Sequence, residues 1–225
     1  MVFDFSSVLE QWPLLLRGAL VTLAMTLVST LLGLLLGIAC GWARANGAAW
    51  LRFTVGGYIE LVRNTPYIVQ LFFIFFGLPS LGLHMTAISA SVVSLVLNLG
   101  AYAAEITRAG IATTARSQIE AAQSLALDRW QIFSRVVLPP ALSRVWPSLI
   151  SQVIIIMLGS AVCSQISTEE LSFSANLIAS RSFRNFESFI IAAMIYLALA
   201  VMVRQFLGWF GPRFIFGPAL GKNHE

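Results

Sequence analysis

Residues 18–43 read GALVTLAMTLVSTLLGLLLGIACGWA, and no charged side chain stands between Arg17 and Arg44. A helix needs about 20 apolar residues to cross a bilayer, so this block, in an apolar run that extends from Leu14 to Ala43, is long enough to span. Asp4 and Glu10 ahead of it do not match the basic start of a cleavable signal peptide, so the block is expected to stay in the membrane. Inside it Gly33, Gly37 and Cys40-Gly41 place small residues four apart, a pattern that lets a second helix approach closely.

Working outward, a second uncharged stretch runs from Asn64 to Ala104, enough for two spans with a turn over residues 77–82. Trp146–Thr168 and Phe189–Trp209 form two more apolar blocks, the last interrupted by Arg204. Only 11% of the 225 residues are charged and 58% are hydrophobic, against about 25% charged in a soluble domain. The expected fold is therefore all-α and transmembrane. One domain over residues 1–225 holds about five helices near 14–43, 58–78, 86–110, 145–168 and 187–210, with a polar loop at 111–144.

Five spans put the termini on opposite sides. Arg44 and Arg52 follow the first span, five arginines from Arg108 to Arg144 follow the third, and Arg213 and Lys222 follow the fifth. The positive-inside rule places these segments in the cytosol and the N-terminus outside. The net charge of +4 does not point to nucleic acid, because the basic residues are spread between apolar blocks. Cys40 and Cys163 sit inside apolar blocks and are expected to be free.

Within the loop, Ser117-Gln118-Ile119-Glu120 fits a capping box that would start a short helix running through Leu125. Asp128 and Gln131 repeat the pattern for a second helix, Asp128 to Leu138, which Pro139-Pro140 would end. The loop thus reads as a helical hairpin. Ala121 and Ala122 thin one side of it, so a partner could lie against the backbone while Glu120 supplies a polar contact; alternatively Glu120 only caps its helix.

The run Glu120-Ala121-Ala122-Gln123-Ser124-Leu125-Ala126-Leu127, with Phe133 and Leu138-Pro139-Pro140-Ala141, resembles the EAA loop of ATP-binding-cassette importer permeases. The stretches Tyr58 to Pro66 and Ala101 to Ile111 are similar to the polar amino acid permeases of that family, and the likeness runs from about residue 14 to about 210. The resemblance implies the type I importer fold, with the loop as a coupling helix docking a separate ATPase through Glu120, Ala121, Ala122, Ser124, Leu125 and Ala126. It further implies that ATP and Mg belong to that ATPase and not to this chain. The other implied partners are a periplasmic or lipid-anchored binding protein and a second permease chain, either a paralogue or another copy. Glycine is usual in the family where this chain has Ala126, a turn position that favours a left-handed residue. Many such permeases also carry a Lys-Asp-Thr-Ser-like segment where this chain has Leu158-Gly159-Ser160-Ala161, so the family's substrate contacts are not carried over.

Asn98, Tyr102, Gln152 and Ser160 are polar groups inside spans, where each must find a partner or line a wet path. Glu169 and Glu170 fall just outside span four and are candidates for a substrate ammonium or a docked binding protein, Glu170 being counted with the path residues. Arg63 is expected near the boundary as an anchor or facing a wet cavity, and Pro66 should kink span two. Glu105 and Arg108 are spaced to pair on a helix. His84 and His224 lack metal-ligand spacing, and no catalytic motif is present. The chain is not expected to be an enzyme. An ATP-independent carrier is the rival reading.

Overall fold

The computed structural model describes residues 4–215, so Lys222 and His224 lie outside it. Its helices are α1 (Ser6–Leu9), α2 (Trp12–Asn46), α3 (Ala49–Arg63), α4 (Tyr67–Phe72), α5 (Ala87–Ala112), α6 (Arg116–Ser124), α7 (Arg129–Gln131), α8 (Leu138–Gly159), α9 (Leu171–Ser182) and α10 (Asn185–Phe210). Four segments are long and apolar enough to cross a membrane: Trp12–Asn46, Ala87–Ala112, Arg129–Ile166 and Asn185–Ile215. The bent pair Ala49–Arg63 and Tyr67–Leu81 makes a fifth if taken as one broken span.

The glycine stripe of α2 seats α5. A Cβ on Gly37 would stand 2.5 Å from the Cβ of Ala103, and Gly33 and Gly41 meet Leu99 and Thr107 in the same way, so the two backbones close to a distance that side chains would prevent. Cys40 and Cys163 are free and buried.

The structure bears out one expectation and corrects another. Span two bends at Pro66, as expected, and does so sharply. α3 and α4 meet at 111°, because Pro66 has no N–H to give and biases the preceding residue away from helix. Gln70 stabilises this elbow, its Nε2 lying 2.7 Å from Val62 O and 2.9 Å from Thr65 O.

Pro139-Pro140 does not end the second loop helix. They sit in the first turn of α8, and a π-helical stretch at Ile132–Val137 joins α7 to it. Arg129–Ile166 is thus one continuous helical segment.

After span four the chain enters a short helix. Ser167 turns left-handed at φ 62°, and α9 follows, packed on α2 where a Cβ at Gly18 would meet Ser174 Oγ at 2.5 Å. At 12 residues and about 18 Å, α9 is too short to span.

Candidate functional site

α6 begins at Arg116 with Ala115 as its N-cap and no side-chain cap, so Ser117 falls inside the first turn and the expected Ser117–Glu120 box does not form. Glu120 instead pairs with Arg116 one turn earlier, Nε to Oε1 2.9 Å, on the exposed face. The second box does form: Asp128 Oδ1 accepts from Gln131 N at 2.9 Å, and Gln131 Oε1 accepts from Asp128 N at 3.0 Å.

Between the helices lies a Schellman turn. The Leu127 amide donates to Ala122 O at 3.3 Å and the Ala126 amide to Gln123 O at 2.9 Å, with Ala126 left-handed at φ 55°. The sequence expectation of a left-handed residue at Ala126 is met by alanine itself.

Ala122 turns inward onto Ile132, Phe133 and Val137, so only Ala121 of the alanine pair presents a thin outer surface. Glu120, Ser124, Leu125 and Ala126 are exposed with it, and Leu125 is 76% exposed at the tip. The hairpin is fixed to the rest of the chain on its inner side: Trp42 at the end of α2 meets Phe133 at 6.1 Å and Trp130 at 6.5 Å between ring centroids. Arg144 Nη1 adds a bond to Thr113 Oγ1 at 2.9 Å.

The polar residues inside the spans fall into separate groups. Asn98 Nδ2 donates to Gln70 Oε1 at 3.3 Å, which ties α5 to the elbow. Tyr102 carries the guanidinium of Arg63 5.6 Å from its ring centroid. Glu105 and Arg108 pair as expected, Nε to Oε1 3.1 Å. Gln152 is buried on α8, and Ser160 Oγ donates to Met157 O of its own chain turn at 2.6 Å.

Glu170 is fully buried, whereas Glu169 beside it pairs with Arg17 at 2.8 Å on the surface. Glu170 caps α9: its Oε1 accepts from Phe173 N at 2.8 Å and its Oε2 from Tyr196 Oη at 2.5 Å, with Thr22 Oγ1 at 3.5 Å. Burial pushes this carboxyl above the ordinary range, against the pull of those donors. Sequence reading missed Tyr67 and the cap. Tyr67 Oη reaches Ser94 Oγ at 2.9 Å and Cys163 Sγ at 3.3 Å, a contact between residues far apart in the chain.

Residues 33–216 match the family described as binding-protein-dependent transport system inner membrane component. The glutamine transport system permease protein GlnP of Escherichia coli K12 is 34% identical over 90% of this chain and 94% of its own length. The probable amino-acid ABC transporter permease protein YckA of Bacillus subtilis is 31% identical over 91% of each. Among solved structures, an amino acid ABC transporter with histidines superposes with a TM-score of 0.83 at 33% identity, over 93% of this chain and 98% of that one. The MetNI methionine ABC transporter in an inward-facing form, at 20% identity and a TM-score of 0.68, shares the fold. With a helical membrane fold and these relatives in agreement, the chain belongs to the inner membrane components of binding-protein-dependent transport systems, among the amino-acid ABC transporter permeases.

Proposed function

We propose that this chain is the permease subunit of an ATP-driven importer for a polar amino acid, which an extracytoplasmic binding protein delivers. The observation that carries the coupling part of this reading is the hairpin tip. Leu125 stands 76% exposed on a turn whose backbone is closed by two hydrogen bonds and whose inner face is packed against α2. A rigid turn with an exposed apolar tip, flanked by the exposed Glu120, Ala121, Ser124 and Ala126, suits a groove on a separate ATPase. That subunit supplies ATP, Mg and hydrolysis. Glutamine, the substrate named for the Escherichia coli relative, is the first amino acid to test.

Five spans are too few to surround a solute path, so the working unit pairs two permease chains, two copies or a copy with a paralogue. Asn98, Tyr102, Gln152, Ser160 and Glu170 are the candidate path residues of each. The clustering of arginines after the first, third and fifth spans supports an inner-membrane orientation with the N-terminus outside. Reconstitution in vesicles with the partner ATPase and binding protein tests the reading. Uptake and ATP hydrolysis should both rise when the loaded binding protein is added outside. Uptake by the permease alone, unaffected by Glu120→Lys, would instead identify an ATP-independent carrier.

A further inference from the structure

The outer side of α3 carries a junction that the transport reading leaves unused. Gly56, Ile59 and Val62 are buried toward α2 and α5, while Trp50, Phe53 and Leu61 are exposed. Arg44, at the end of α2, lies flat on α3, where any Cβ at Gly56 would collide with its Nη1. Arg63 rests on Tyr102 of α5, and Arg108 of α5 pairs with Glu105. Arg44 and Arg63 both act on that same Glu105 carboxylate. Glu60, the acid of α3, accepts from Asn64 Nδ2 at 2.9 Å. Three arginines, Arg44, Arg63 and Arg108, therefore converge on the one carboxylate of Glu105 where three helices meet, which leaves positive charge over even with Glu60 counted.

Next to this cluster is an open slot of about 560 Å³, lined by Leu61, Val62, Val69, Phe73, Val93 and Leu97 on both sides of the α3–α4 elbow. The polar groups at its wall are already engaged, Tyr58 Oη with Leu97 O at 2.6 Å and Gln70 with the elbow. The wall offers a ligand no unmet hydrogen bond, only apolar surface. A surplus of guanidinium beside a dry slot, on a helix with exposed Trp and Phe, matches a phospholipid with an anionic headgroup; basic pockets between membrane helices take such headgroups. A soluble phosphate would use the cations and leave the slot empty.

We propose that the α2–α3–α5 junction holds an anionic phospholipid, its phosphate on Arg44 and Arg63 and one acyl chain in the slot. This rests on the membrane fold alone and stands whatever the solute carried.

The test is native mass spectrometry of the full chain in mild detergent with equal amounts of phosphatidylglycerol and phosphatidylcholine of identical chains. Phosphatidylglycerol adducts should exceed phosphatidylcholine adducts at least tenfold. Arg63→Gln and Arg44→Gln should each lower that preference severalfold, and Arg63→Lys should keep most of it. Val69→Trp, at an exposed position on the slot wall, should reduce retention of both lipids. Equal retention of the two lipids, an unchanged preference in both glutamine variants, or full displacement by millimolar inorganic phosphate would overturn the proposal. So would a slot closed by a second copy, seen as a lipid-free dimer.

Discussion

Leu127 reaches back across the hairpin tip to Ala122, amide to carbonyl at 3.3 Å, and this bond holds Ala126 left-handed at φ 55°. A left-handed residue with a Cβ costs about 1–2 kcal/mol that glycine avoids. The chain therefore carries strain at the tip proposed to meet the ATPase. Ala126→Gly should relax it by up to about 1 kcal/mol after the entropy of glycine is counted, seen as slower amide exchange over residues 116–127. Ala126→Val should open the turn and lower ATPase co-purification.

Among the described residues the Glu120 side chain bonds to Arg116, and exposed helix pairs of this spacing contribute about 0.3–0.5 kcal/mol. Glu120→Lys should therefore leave melting in detergent within a degree or two while abolishing attachment of the ATPase. A large loss of thermal stability would place Glu120 in the fold instead.

Gly37→Val sets a branched side chain where even a Cβ would come within 2.5 Å of Ala103. Neither backbone can retreat without parting α2 from α5, and overpacking of this kind costs about 3 kcal/mol. Thermal melting of the purified variant should fall sharply, and its yield in the membrane with it.

Glu170→Ala removes the acceptor for Tyr196 and for the Phe173 amide in a fully buried place. Unmet donors there should cost about 1–3 kcal/mol. The raised carboxyl also gives stability a pH dependence. The folded chain holds the Glu170 proton more tightly than the unfolded chain, so the stabilisation is full at low pH and is lost as pH rises through the folded value. Melting temperature against pH should fall across that rise in the wild type and flatten in Glu170→Gln.

What could be read from the sequence was what neighbouring residues decide. The runs at 14–43, 86–110 and 187–210 matched α2, α5 and α10 because lipid burial needs only an unbroken apolar length. The Asp128–Gln131 box was visible because cap and partner lie three apart. The same pattern misled at Ser117, where Arg116 starts the helix one residue earlier and takes Glu120 for itself. The elbow depends on Gln70 folding back onto Val62, and α9 depends on Thr22, 148 residues before Glu170. Neither partnership leaves a local mark. The loop at 116–127 was singled out by its family resemblance; its inward Ala122 and outward Ala121 are set by Phe133 and Trp42, which only the packed structure brings together.

The unbroken helix from Arg129 to Ile166 runs for 38 residues, about 57 Å from end to end. Its first turn carries Trp130 in the loop hairpin, and its last turns carry Cys163 against Tyr67 of the elbow. Such a rod behaves as a lever: a tilt of a few degrees at the hairpin becomes a shift of several ångströms at the far end, less what the π turn at 132–137, the interior Pro147 and the 3-10 turns at 160–166 absorb. Motion at the hairpin would then arrive at the Tyr67–Ser94–Cys163 contact as a sideways sweep.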